Sequence, residues 1–153
     1  MKKFSIVPFL IFGLPALSSS VLADVASIRA EEKACLADAE TNLDMKVCEG
    51  NTYQAADKEL NATYQKLVAG LKAQAAKEKG IPDYESSAEI LRRLIASERA
   101  WITFRDADCS FQATSMLGGT GEGLIYLSCE ASTTLDRITA LNLMMTPSYV
   151  QLN

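Results

Sequence analysis

Arg99-Ala100-Trp101-Ile102-Thr103-Phe104-Arg105-Asp106-Ala107-Asp108-Cys109 is the stretch whose reading decides the fold. It carries the only tryptophan, two arginines, two aspartates and one of four cysteines. At 3.6 residues per turn Trp101, Arg105 and Asp108 share a helix face, and Ile102, Phe104 and Cys109 flank it. A large ring beside a guanidinium and carboxylates departs from a plain amphipathic pattern. It predicts a polar group held at the edge of a core against another helix.

Outward from this stretch the chain reads as helices separated by clear breaks. Ser27 to Ala39 predicts a short first helix, with Ile28, Ala34, Cys35 and Leu36 among charges. Thr41-Asn42-Leu43-Asp44 has the form of a capping box, in which the threonine hydroxyl accepts from a first-turn N–H and the acid answers it. A long second helix is expected from Asn42 to Lys77, with apolar positions mostly three or four apart and a weak point, a possible kink, at Gly50-Asn51. Gly80-Ile81-Pro82-Asp83 is a stop and turn. The third helix is expected from Ser87 to Met116, with Ile90, Leu91, Leu94, Ile95, Trp101, Ile102 and Phe104 as its core side. Gly118-Gly119-Thr120-Gly121-Glu122-Gly123 breaks the chain again, and a fourth helix from Leu124 to Met144 carries Leu127, Ala131, Leu135, Ile138 and Leu141. No stretch alternates with period two, so the expected class is all-α: a bundle of about four helices, in two hairpins stapled by disulfides.

The N-terminus reads as an export signal, residues 1–23. Lys2 and Lys3 precede an apolar run from Phe4 to Leu17, and Val21 and Ala23 stand at the −3 and −1 positions of a cleavage site. The expected mature chain, 24–153, is one domain of 130 residues, long enough for a real core. It is expected in the periplasm or secreted, with no membrane span. No cysteine follows the cleavage site, so no lipid anchor is expected.

Four cysteines in an exported chain of this size read as two disulfides with three possible connectivities. Folding the chain at Thr41 brings Cys35 beside Cys48, and folding it at the second glycine break brings Cys109 beside Cys129. The hairpin pairings Cys35–Cys48 and Cys109–Cys129 are therefore expected over the two crossed ones. There is no histidine, and with the cysteines paired neither zinc nor the usual general bases have groups to work with. No catalytic residue, metal site or cofactor is expected, and the chain is not expected to be an enzyme. Without Lys2 and Lys3 there are 13 basic against 19 acidic residues, a charge of −6. That disfavours nucleic acid and favours a basic protein partner.

Cys48, Tyr53, Ala56-Asp57, Leu60-Asn61 and Tyr64, then Arg99-Ala100-Trp101-Ile102, Phe104-Arg105-Asp106-Ala107 and Cys109, resemble the LprI-like lysozyme-inhibitor family. Gly118-Gly119, Cys129, Thr134, Arg137 and Leu141 fit the rest of the pattern, so the resemblance covers about Cys35 to Leu143. It implies an all-helical, disulfide-stapled envelope protein that binds a lysozyme-type peptidoglycan hydrolase. The protein that names the family is a lipoprotein, and this chain departs from it in lacking the lipidation cysteine.

Two constellations are candidates for function. Asp57, Asn61 and Tyr64 share a face of the second helix, and Trp101 and Arg105 share one on the third. If the faces meet, Asp57 pairs with Arg105 and Asn61 or Tyr64 completes the hydrogen bonds, because half-buried charges require partners. The network reads either as structural or as a binding surface. The second candidate is the glycine loop, with Gly119, Thr120 and Glu122. It reads either as an ordinary connection or as a narrow partner-binding loop that enters a hydrolase cleft holding two carboxyl groups. The function expected is inhibition of a lysozyme-type hydrolase by occluding its cleft. Alternatives are an immunity protein that neutralises a cognate cell-wall toxin in the periplasm, and a non-enzymatic envelope structural or assembly factor.

Overall fold

The computed structural model describes residues 19–144. Four helices account for nearly all of them: α1 (Ser19–Ala37), α2 (Asn42–Ala75), α3 (Ser87–Ala113) and α4 (Glu122–Met144). Single 3-10 turns at Asp83–Glu85 and Thr114–Met116 lead into α3 and out of it. There is no strand among the described residues. The expected export signal falls mostly outside them, and at Ser19–Ala23 the backbone is already helical.

Local chemistry sets the helix ends. The Thr41 hydroxyl accepts from the Asp44 N–H at 3.1 Å, and the Asp44 carboxylate accepts from the Thr41 N–H at 2.9 Å, a reciprocal capping box. Its hydrogen bonds with Thr41 hold the Asp44 carboxyl below its usual pKa. Ser86 caps α3 through the Glu89 N–H at 3.2 Å. Helices α2 and α3 end through right-handed caps at Ala76 and Thr114, and Gly80 and Gly118, both at φ +72°, turn the connections that follow without a Cβ penalty.

Three expectations need correction. The first helix begins at Ser19 rather than Ser27, because Val25 and Ile28 lie on one face and both join the core. Gly50-Asn51 does not interrupt α2. Instead, Gly50 lies against α4, where an added Cβ would meet Leu127 Cδ1 at 3.7 Å. On α3 the expected apolar side is turned partly outward: Ile90, Ile102 and Phe104 are exposed, Phe104 by 60%. The buried face is Glu98, Arg105, Cys109 and Ala113, spaced seven, four and four apart.

The helices α2 and α4 form the main packing pair and run in the same direction, since Lys46 lies beside Gly123 and Gly50 beside Leu127. Ala56 and Leu60 of α2 meet Leu135, Ile138 and Leu141 of α4, with Val25 of α1 beside them and Leu94 and Trp101 of α3 at the margin. The Arg29–Asp136 ion pair, at 2.9 Å, ties α1 to α4.

Both cystines close hairpins. Cys35–Cys48 joins α1 to α2 with Cα atoms 5.7 Å apart, and Cys109–Cys129 joins α3 to α4 at 5.4 Å. The α2 and α4 N-termini are neighbours, so both bridges lie at the same end of the bundle. Loops of 13 and 20 residues each correspond to about 3 kcal/mol in the chain-entropy account. The Cys109→Ser/Cys129→Ser double variant should therefore lose about 3 kcal/mol in a denaturant titration while keeping its helical circular dichroism.

Candidate functional site

The centre of the bundle at the cystine end is charged. Arg105 is only 5% exposed. Its guanidinium donates to Asp106 Oδ1 from Nε at 2.9 Å and from Nη2 at 2.7 Å, and from Nη1 to the Thr134 hydroxyl at 3.3 Å. Its Cζ also stands 5.4 Å from the Tyr53 ring centre and 5.2 Å from that of Trp101, within cation–π range of both. Three helices thus converge on one cation. Burial works against its charge, but Asp106, Tyr53 and Glu130 outweigh that and raise its pKa.

A second arginine completes the cluster. Arg137 of α4 lies 5.6 Å from the Trp101 ring centre. It donates to Glu98 Oε2 at 3.0 and 2.9 Å and to the Ser97 hydroxyl at 3.1 Å. Both members of the Arg137–Glu98 pair are largely buried. Glu130, also buried, accepts from the Tyr126 hydroxyl at 2.9 Å. Burial and that hydrogen bond push the Tyr126 phenol up to about 12.

The expected pairing of Asp57 with Arg105 is not what forms. Arg105 is served by its chain neighbour Asp106, whereas Asp57 accepts from Asn61 Nδ2 at 3.0 Å, one turn along its own helix. Tyr64 is half-buried farther along α2 and takes no part in the Arg105 cluster. The structure therefore joins Trp101 with Arg105 and Asp57 with Asn61, but does not link the two pairs by an ion pair. Sequence reading missed Asp106 as the partner, and Glu49, Glu98, Glu130 and Arg137 as buried or largely buried charges. The signal available was register: Glu98 stands seven residues before Arg105, and Glu49 seven before Ala56, each on a buried stripe.

Glu49 is the least compensated of these acids. Its Oε2 has no hydrogen-bond partner. Burial, then the neighbouring Glu32 of α1, raise its pKa, against a lowering contribution from Ser128 of α4. Glu31, Glu32, Asn51 and Thr52 line a shallow cleft beside the Cys35–Cys48 bridge. Among the described residues no cluster of His, Cys, Asp or Glu side chains is arranged to hold a metal ion.

The glycine loop is tied to itself. Gly119 N–H donates to the Met116 carbonyl at 2.8 Å, and Glu122 N–H to the Gly119 carbonyl at 3.3 Å. The Glu122 carboxylate accepts from the Gly118 N–H at 2.9 Å, so it faces back into the loop. Gly119 and Thr120 are exposed at the tip. A Cβ on Gly119 would sit 3.1 Å from the Met116 carbonyl oxygen.

These features bear on ancestry, because the cystines, Trp101, Arg105, Thr134 and Arg137 form one connected unit. The model of the lysozyme inhibitor LprI family matches residues 33–141. The chain belongs to that family. An uncharacterized protein of Rhizobium meliloti (strain 1021) is 35% identical over 107 residues, covering 69% of this chain and 74% of the relative. No solved structure matches the chain. Lysozyme inhibition is a binding role, and the two disulfides of this LprI-family member fit an extracellular or periplasmic protein. No helix among the described residues is long and apolar enough to cross a membrane.

Two measurements test this account of the polar core. Arg137→Ala strands the buried Glu98 charge and should cost about 3 kcal/mol or more, whereas Arg29→Ala removes an exposed pair and should cost under about 1 kcal/mol, both by urea titration. Glu49 has its pKa raised on folding, so its ionisation disfavours the folded state. That penalty is absent below the ordinary glutamate range and grows as pH rises through and above it. Glu49→Gln should therefore stabilise the protein at pH 7, and the gain should vanish toward pH 4 in paired melting curves.

Proposed function

We propose that this chain binds a lysozyme-type peptidoglycan hydrolase and inhibits it by occluding the substrate cleft. Membership of the LprI lysozyme-inhibitor family carries the reading. The disposition of charge supports it. The buried arginines are consumed in internal pairs, so Arg105 and Arg137 are committed to the scaffold. Binding then falls to the surface, with no cofactor and no chemistry on the inhibitor.

The loop tip at Gly119 and Thr120 is our candidate for the contact that enters the cleft. Its backbone is held by its own hydrogen bonds, so little ordering entropy is lost on binding. A free glutamate would be repelled by the paired carboxyl groups of a glycosidase cleft. Here Glu122 is turned back onto the Gly118 N–H, leaving a slim, uncharged tip. The excess of acidic residues would speed encounter with a basic enzyme, an effect that salt screens.

The deciding experiment is turbidity clearing of a cell-wall suspension by lysozymes of several types, with and without the protein. Protection in the micromolar range, fading as salt is raised, is expected. Clearance unchanged at tens of micromolar with every lysozyme would overturn the reading. Thr120→Ala with Gly119→Ala should weaken protection severalfold, and an unchanged titration would remove the loop from the contact.

A further inference from the structure

The cystine end of the bundle carries large apolar side chains that the fold leaves largely exposed. Leu43 and Val47 stand on the first turns of α2, Phe111 on the last turn of α3, and Met116 and Leu117 at the entrance to the glycine loop. Leu43 is 69% exposed, Phe111 73% and Leu117 74%. The elements bearing them are neighbours: Lys46 reaches Gly123 at the start of α4, and Met116 lies under Gly121. Other large apolar residues are exposed elsewhere, Ile90 and Phe104 among them, but these five include the three most exposed and lie on the most cross-linked part of the fold.

Acid flanks them on one side. Asp38, Glu40 and Asp44 are all exposed on the α1–α2 turn, and the capping box keeps Asp44 ionised to lower pH than usual. An apolar centre with acidic groups along its α1–α2 side, and the cation Lys46 turned toward Gly123, is the layout of a protein interface, in which desolvated anchors supply affinity and neighbouring charges supply steering.

We infer that the end-face formed by Leu43, Val47, Phe111, Met116 and Leu117, flanked by Asp38, Glu40 and Asp44, is the surface that seats the basic hydrolase. This rests on the reading under Proposed function and extends it: the glycine loop is the centre of a broader apolar footprint. The apolar residues press on the rim of the enzyme's cleft, and the carboxylates meet its basic surface. The two cystines hold the hairpin ends in fixed relation, so the face is pre-formed.

The test compares the protein produced from its full sequence with Leu43→Ser/Leu117→Ser, Phe111→Ser, and Ile90→Ser as an exposed control toward the other end of α3. All four side chains are exposed, so circular dichroism and melting should match wild type. Inhibition by the two end-face variants should weaken tenfold or more, and Ile90→Ser should stay within twofold. Asp38→Asn/Glu40→Gln should slow association severalfold at low salt and match wild type at high salt. Wild-type inhibition that survives the end-face substitutions within twofold overturns this assignment and leaves the inhibitor reading standing. A wild-type chain that neither binds nor inhibits any lysozyme defeats both. A wild-type dimer by sedimentation that the substitutions dissociate, with inhibition unchanged, gives the face to a second copy and also overturns the assignment.

Discussion

The structure depends on a guanidinium that has been taken out of water. Arg105 lies in the buried face of α3, where an uncompensated charge would cost several kcal/mol. Compensation comes from three helices at once: Asp106 beside it on α3, Thr134 of α4, and the rings of Tyr53 on α2 and Trp101 on α3. No arrangement of two helices alone supplies that set. Trp101 also receives Arg137, whose charge is answered by Glu98, so one indole sits in two cation contacts. The cluster thereby specifies how α3 is rotated against its neighbours. Apolar packing would tolerate a range of rotations more readily.

The cystines act on the same degree of freedom. Cys109 follows Arg105 by one turn, and its bridge to Cys129 brings that face of α3 against α4. Glu130 and Thr134, one residue and five past Cys129, then fall within the charged cluster. The covalent and ionic constraints are thus consecutive along both helices. Among the described residues the opposite end of the bundle has no such clamp. There the α2–α3 connection is secured by Glu78, which accepts from the Ser87 N–H at 2.8 Å and from its hydroxyl.

What could be read from sequence divides along physical lines. The start of α2 at Thr41 and the breaks at Gly80 and Gly118 were legible, because caps and left-handed glycines act through neighbouring backbone alone. The pairings Cys35–Cys48 and Cys109–Cys129 were legible because a hairpin places residues equidistant from its turn side by side. The rotation of α3 was not. Ile102 and Phe104 look like core residues by hydrophobicity, but the helix is turned by partners 39 residues away in sequence, as in Arg137 with Glu98. Asp106 was passed over for a related reason. Adjacent helical residues point about 100° apart and are not expected to pair, yet the long arginine side chain bends round to reach its neighbour. The glycine loop was visible as a break, but its Glu122 could not be seen folding back onto Gly118.

Around an ordinary apolar core, several charges are buried and several large apolar residues are left exposed, and that bears on the proposed function. Arg105, Glu98, Glu130 and Thr134 occupy buried positions beside the apolar core, whereas Leu43, Phe111, Met116 and Leu117 are left exposed at the cystine end. Burying the charges demands rigid geometry, because each donor needs its acceptor in place. Leaving apolar side chains in water costs stability that a chain of this size would otherwise gain from a larger core. The first feature gives a rigid scaffold, and the second leaves apolar groups free for the contact proposed above. A body built only for stability would exchange the two, with Phe111 and Leu117 inside and Glu49 and Glu98 at the surface.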